Sequence, residues 1–195
     1  MDPIEKINNE IVSIIGFLDE NGQPSLSSDV NRHFTKMLLL SSASYFEHEI
    51  RKILIDFIET KSGSCSEIVN LFKRKAIDRN YHTYFDWSYQ DKPGRNANTF
   101  FSLFGDKFKL SAKKEIDENK DLSRSIEAFI EIGHLRNTLV HNNFAAFEIT
   151  NKTSFEIFEL HQLGKGFVDY IKNKLNNVCV DNDSMKRHEN QSGDS

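Results

Sequence analysis

Residues 29 to 60 carry a helical pattern, most of it NRHFTKMLLLSSASYFEHEIRKILIDFIET, with no glycine or proline inside. A helix of about 30 residues is roughly 45 Å long, longer than a small domain is wide. Such a rod has to run the length of the domain, with the remaining elements packed along it. A sandwich or barrel leaves no room for it. The chain also has only three prolines and nine glycines in 195 residues, too few for the many turns of an all-β fold. The expected class is therefore all-α, a helical bundle around one long central helix.

The flanking segments fit that expectation. Asp2 and Pro3 read as an N-cap and first-turn proline, followed by Ile4, Ile7, Ile11, Ile14, Ile15 and Leu18 at helical spacing. The stretch DENGQPSLSSD ends that helix and offers Ser27, Ser28 or Asp29 to cap the long one. KSGSCS closes the long helix, and 66 to 78 reads as a shorter one. The middle, from RNYHTYFDW to FGDKFKLS, is an irregular, aromatic-rich insertion broken at Pro93-Gly94 and Gly105. Helices over about 121 to 142 and Ser154 to about 178 complete the bundle. One domain is expected over residues 1–180, with an unstructured tail over 181–195 that lacks an apolar pattern.

Other classes fall away. The acidic, polar N-terminus is neither a signal nor a transit peptide, and no apolar run could span a membrane. Two cysteines, Cys65 and Cys179, in a chain without a leader point to the cytoplasm. There is no HExxH, no Cys/His cluster, no Walker or dinucleotide glycine loop and no nucleophile elbow. No metal or cofactor is expected. Net charge is −4, yet residues 73 to 114 hold ten Lys/Arg against four Asp, a net of +6 that leaves −10 elsewhere. That asymmetry suits an anionic partner for the middle segment, although solvated helix faces share it.

The helix over 121 to 142 poses the functional question. At about 100° per residue, Leu122, Ile126, Phe129, Ile130, Gly133 and Val140 share one stripe. Arg136 and Asn137 project within or at the edge of it, and His141 lies beside it. Leu135 and Leu139 make a smaller apolar patch elsewhere, and His134 points away from the motif face toward solvent. A guanidinium is too costly to bury alone, so it meets a carboxylate in the bundle or lines a cleft for an anion. The plainer reading is a structural Arg–carboxylate pair with a hydrogen-bonded core histidine.

Arg136-Asn137-Thr138-Leu139-Val140-His141 resembles the Arg-x4-6-His motif of the HEPN superfamily, including the polar residue directly after the arginine. SSASYFEHEIRKIL (41 to 54) and GRNANTFFSLFG (94 to 105) are similar to segments of the RiboL-PSP type of HEPN domain. The resemblance spans roughly residues 30 to 175. It implies a HEPN-like bundle, a metal-independent endoribonuclease and a C2 homodimer whose two motifs face one composite cleft. It further implies RNA as partner and a role as toxin or effector in bacterial antiviral defence or a toxin–antitoxin system, restrained by an antitoxin or sensor. The alternative is a non-catalytic HEPN module that binds a nucleotide or a protein partner as a scaffold.

The residue types suit the chemistry. RNA carries its own nucleophile, the 2′-hydroxyl, so an enzyme has to move protons and stabilise a crowded phosphorane. Histidine changes charge near neutral pH, which makes His141 a candidate base or acid. Arg136 offers a planar fork to two phosphate oxygens, and Asn137, one turn before His141, could orient the imidazole or hold a sugar hydroxyl. Glu47 is the candidate carboxylate reaching from the long helix, to pair with Arg136 or order the histidine; a solvated helix-face glutamate is the other reading. Lys92, Arg95, Asn96, Asn98, Lys107 and Lys109 are candidate RNA contacts, interleaved with Trp87, Tyr89, Phe100, Phe101, Phe104 and Phe108. Phenylalanines at such spacing are more often core, which is the reading favoured for these four.

Overall fold

Pro24 fixes its own φ and has no N–H to leave unpaired, so it opens a helix well. In the computed structural model, which describes residues 2–63, 65–88, 97–142, 144, 147, 149 and 152–189, the long helix starts there. It begins ahead of the Ser27–Asp29 caps read from the sequence and runs as α2, Pro24–Ser62, to Gly63 at φ +63. Before it lies α1, Pro3–Glu20, capped as expected by Asp2, whose carboxylate accepts the Ile4 N–H at 2.9 Å.

After α2 come α3 (Ser66–Phe72), a π-helical segment (Lys73–Ile77), α4 (Asp78–Asn80) and a 3-10 turn (Tyr81–Thr83). Then follow α5 (Asn98–Ser102), α6 (Asp106–Glu118), α7 (Lys120–His141) and α8 (Ser154–Glu189). No strand occurs among the described residues, and the all-α expectation holds. The α8 helix continues past residue 178, where its end was expected, and residues 190–195 lie outside those described. No helix among the described residues is long and apolar enough to cross a membrane.

The core forms where α2, α7 and α8 pack together, with α1 laid against α2 and α8. Phe46 and Ile50 of α2, Ile126, Phe129 and Ile130 of α7, and Phe167, Ile171 and Leu175 of α8 are all buried. Each such side chain stabilises the fold by about 1.5–3 kcal/mol relative to exposure. Close approach of α8 depends on Gly164, where a Cβ would stand 2.7 Å from the Phe46 ring and 3.3 Å from the Phe129 backbone.

The insertion is mostly core, as its phenylalanines suggest. Phe85 and Phe100 stack at 5.1 Å, Phe101 is buried, and Phe104 and Phe108 pack against the core from its edge. Tyr89 lies outside the described residues.

A second contact set ties the N-terminus down. Asp2 Oδ2 accepts hydrogen bonds from His161 Nε2 and Lys165 Nζ, both at 3.0 Å, and His161 is fully buried. Burial would raise the Asp2 carboxyl, but hydrogen bonds from His161, Lys165 and the Ile4 N–H outweigh it and hold it at about 2. Burial pushes the His161 imidazole below its ordinary value despite the carboxylate beside it.

Candidate active site

Asn119 caps α7 by accepting the N–H groups of Asp121 and Leu122, each at 3.0 Å. The first turns bury Leu122, Ile126, Phe129 and Ile130, as the periodicity predicts. Toward the C-terminus the stripe departs from that pattern: Leu139 is fully buried, whereas Val140 is 52% exposed. Leu139 faces the bundle interior, and the face that carries the motif opens onto a cleft.

That cleft has a volume of about 480 Å³. One wall is α7, with Gly133, Arg136, Asn137 and His141; another is α2, with Ala43 and Glu47; the third is the 78–87 segment, with Asp78, Tyr81, His82 and Trp87. Phe46, Phe129 and Ile132 form an apolar lining. All four residues proposed from sequence as catalytic thus share one cavity.

Their contacts differ from the sequence reading. Arg136 Nη1 donates to Asn137 Oδ1 at 3.0 Å, and among the described residues Arg136 forms no ion pair. Asn137 therefore steadies the guanidinium rather than the imidazole. His141, the last residue of α7, is exposed, with no hydrogen-bond partner among the described residues. The plainer reading, a buried Arg–carboxylate pair beside a bonded core histidine, is not what this helix end holds.

Glu47 does face the cleft, but its partner is Arg51, one turn along α2, with Nη1 3.7 Å from Oε1. Arg51 also bonds Asp78, so one guanidinium joins the α2 and α4 walls. These side chains are about one-third exposed, where such pairs contribute up to about 1 kcal/mol. Tyr81 lines the same cleft as Glu47 and Arg136. Burial pushes its phenol well above the ordinary tyrosine range, Glu47 pushes the same way, and Arg136 opposes them.

Trp87 locks the third wall to α7. Its indole N–H donates to the His82 carbonyl at 2.9 Å, and its own carbonyl lies 3.0 Å from His134 Nδ1, which places that imidazole proton on Nδ1. His134 is thus half-buried and bonded, not the solvent-facing residue read from the helical wheel. The ring packs against Phe129, Phe85 and Tyr81.

The candidate RNA contacts are not gathered here. Asn98 is half-buried on α5; Lys107 is exposed and Lys109 half-buried on α6; none of the three lines the cleft. Lys92, Arg95 and Asn96 lie outside the described residues. Conversely, Arg51, Asp78, Tyr81 and His82 were not singled out from sequence. The dense RNYHTYFDW run, polar and aromatic at once, was the available signal, but nothing local says which helix it meets. Among the described residues, no group of three or more His, Cys, Asp or Glu side chains is placed to hold a metal ion.

A comparison with protein-family models finds RiboL-PSP-HEPN matching residues 2–177. The match begins at α1, which the motif resemblance alone did not include. No curated protein and no solved structure matches the chain. With nearly the whole bundle inside the match, and the Arg136-to-His141 motif opening onto a cleft of that bundle, the chain belongs to the RiboL-PSP-HEPN family.

Proposed function

We propose that the protein is a metal-independent endoribonuclease that cleaves RNA by attack of the 2′-hydroxyl on the adjacent phosphorus. The observation that carries this reading is the state of two motif groups in one open cleft. Arg136 has no carboxylate partner, and His141 has no hydrogen bond, among the described residues. A cation left uncompensated beside an apolar lining suits an incoming anion, and a free imidazole beside it suits proton transfer.

In the reaction a base removes the 2′-hydroxyl proton as O2′ bonds to phosphorus. The P–O5′ bond breaks and O5′ takes a proton, leaving a 2′,3′-cyclic phosphate and a 5′-hydroxyl. Arg136, oriented by Asn137, holds two non-bridging oxygens as negative charge grows on them. His141 takes part in the proton transfers. Glu47, engaged with Arg51, shapes the wall rather than touching the reacting atoms. Lys107, Lys109 and Asn98 remain candidate contacts for the strand outside the cleft, with Lys92, Arg95 and Asn96 beside them in sequence.

A C2 homodimer fits the surface near the motif, since Val140 and Phe144 are 52% and 49% exposed at the end of α7 and just beyond it. The role of toxin or effector in bacterial antiviral defence, restrained by an antitoxin or sensor protein, follows from the family alone.

The test is cleavage of a mixed RNA pool in EDTA by the wild type, His141→Ala and Arg136→Ala. Cutting by the wild type alone, with cyclic-phosphate ends, is the expected result. Equal cutting by all three, or none by any, shifts the reading to a non-catalytic module whose Arg136 binds a nucleotide or an acidic protein surface.

A further inference from the structure

An isolated helix needs roughly 12–15 residues to hold in water unless one of its faces is packed. The α3 helix has seven, Cys65 at its N-cap makes no side-chain capping bond, and none of its residues is buried. Ile68, Leu71 and Phe72 fall on one face at i, i+3 and i+4, and they are 44%, 59% and 46% exposed. Among the described residues none of the three packs against the core, which this stretch of chain first reaches at Ala76 and Ile77.

The π-helical turn that follows is basic. Lys73, Arg74 and Lys75 are exposed, and no side chain of the three has a hydrogen bond or ion pair among the described residues. Lys75, four residues after Leu71, edges the apolar face, and the other two stand at its C-terminal end. Such cations beside an unpartnered apolar stripe select a partner that is both acidic and apolar. RNA meets the charge but not the stripe, because Ile68 and Leu71 present no flat ring for a base to stack on. At a membrane surface, three half-covered side chains would bury less than the single acyl chain that already gives only marginal binding. A second copy of α3 brings one carboxylate, Glu67, against three cations. An amphipathic helix with carboxylates around an apolar stripe meets every feature.

We infer that α3 is a docking site for an acidic amphipathic helix of a protein partner, with its apolar stripe on Ile68, Leu71 and Phe72 and its carboxylates against Lys73, Arg74 and Lys75. The place matters for the cleft. The basic turn runs straight into Asp78, and Tyr81 and His82 follow on the same cleft wall. Tyr84 ties that turn down by donating to the Ala76 carbonyl at 2.6 Å. A protein docked on α3 therefore adjoins the third wall of the cleft.

The experiment follows the anisotropy of a labelled synthetic peptide of about four helical turns on titration with the full-length protein, without RNA. The peptide carries leucines on one helical face and glutamates elsewhere; the control has lysine in place of every glutamate. The wild type is expected to bind the acidic peptide and not the basic one. Leu71→Ser and Phe72→Ser should each weaken binding at least ~10-fold. The triple variant Lys73→Glu, Arg74→Glu, Lys75→Glu should exchange the preference for the basic peptide. All five side chains lie outside the core, so the fold is kept, which unchanged Trp87 emission verifies.

No binding of the acidic peptide, equal binding of both peptides, or binding that the α3 substitutions leave unchanged overturns the inference. So does tighter α3-dependent binding of an oligoribonucleotide or of phosphatidylserine vesicles, and so does self-association of the wild type that Phe72→Ser abolishes. None of these measurements involves cleavage, so the nuclease reading stands or falls separately.

Discussion

The indole of Trp87 occupies the place where a methyl group on Gly133 would be, 2.0 Å from the nearest ring carbon. No side chain can be added at 133 without moving the ring, and the ring cannot move alone. Its N–H is held by the His82 carbonyl, and the backbone carbonyl of Trp87 itself is held by His134 Nδ1. Gly133→Ala is therefore predicted to destabilise the protein by about 1–3 kcal/mol through overpacking and to displace the wall that holds Tyr81 and His82. Trp87 is the only tryptophan in the chain, so its fluorescence reports on this contact directly. A red-shifted emission together with a lower urea midpoint is expected; unchanged values for both would mean that the indole is not docked on α7.

The Arg136–Asn137 contact gives a prediction about geometry rather than charge. Asn137 holds one end of the guanidinium, leaving a planar fork directed by the bond at Nη1. Arg136→Lys keeps the charge but loses the fork and its support, and a loss of ~10²-fold in kcat is expected with little change in KM. Asn137→Ala should follow the same direction more mildly. Single-turnover cleavage at saturating enzyme separates the two parameters; an Arg136→Lys enzyme as fast as wild type would reduce the arginine to a bulk charge.

These contacts mark where the sequence was legible. A run of 32 residues without glycine or proline could only be a long helix, and Asp2-Pro3 could be read as a cap because the signal is local. The motif was legible too, since Arg136, Asn137 and His141 follow from one helical wheel. Leu139 and Val140 were misassigned because the wheel gives angles but not neighbours, and this helix is buried on one side and open on another. The partner of Glu47 illustrates the same limit. Arg51 lies four residues along the same helix and is a local choice, but its second partner, Asp78, is 27 residues away and is brought in only by the fold. Trp87 reaches α7 at a glycine whose role is visible only once the ring is seated on it.

Arg51 screens two carboxylates that would otherwise face an incoming phosphate. Without it, Glu47 and Asp78 repel RNA, each by about 0.5 kcal/mol at roughly 8 Å in water. Arg51→Ala is predicted to raise KM about fivefold with kcat nearly constant, an effect that fades as salt screens the charges. Glu47→Gln should leave kcat within about threefold of wild type, because the carboxylate is bound to Arg51 and not to a reacting group. A Glu47→Gln enzyme as dead as His141→Ala would restore the glutamate to the chemistry.

The Asp2–His161–Lys165 contact predicts how stability follows pH. The folded His161 binds its proton more weakly than the unfolded chain does, so its contribution is full above about pH 6.5 and is lost as pH falls below that value. Asp2 acts in the same direction lower down. Its carboxyl, held at about 2 against an ordinary 3.8, contributes about 2 kcal/mol that disappears between roughly pH 4 and pH 2. Lys165 is shifted upward by Asp2, so its contribution is present below about pH 10.5 and is lost only in stronger base. Urea midpoints should therefore decline from pH 8 to pH 5 in the wild type. His161→Gln should be less stable at pH 8 but decline less over that range, since glutamine does not titrate. A variant that keeps the full wild-type slope would mean that the pH dependence arises from other groups and that the buried histidine is not protonated on unfolding.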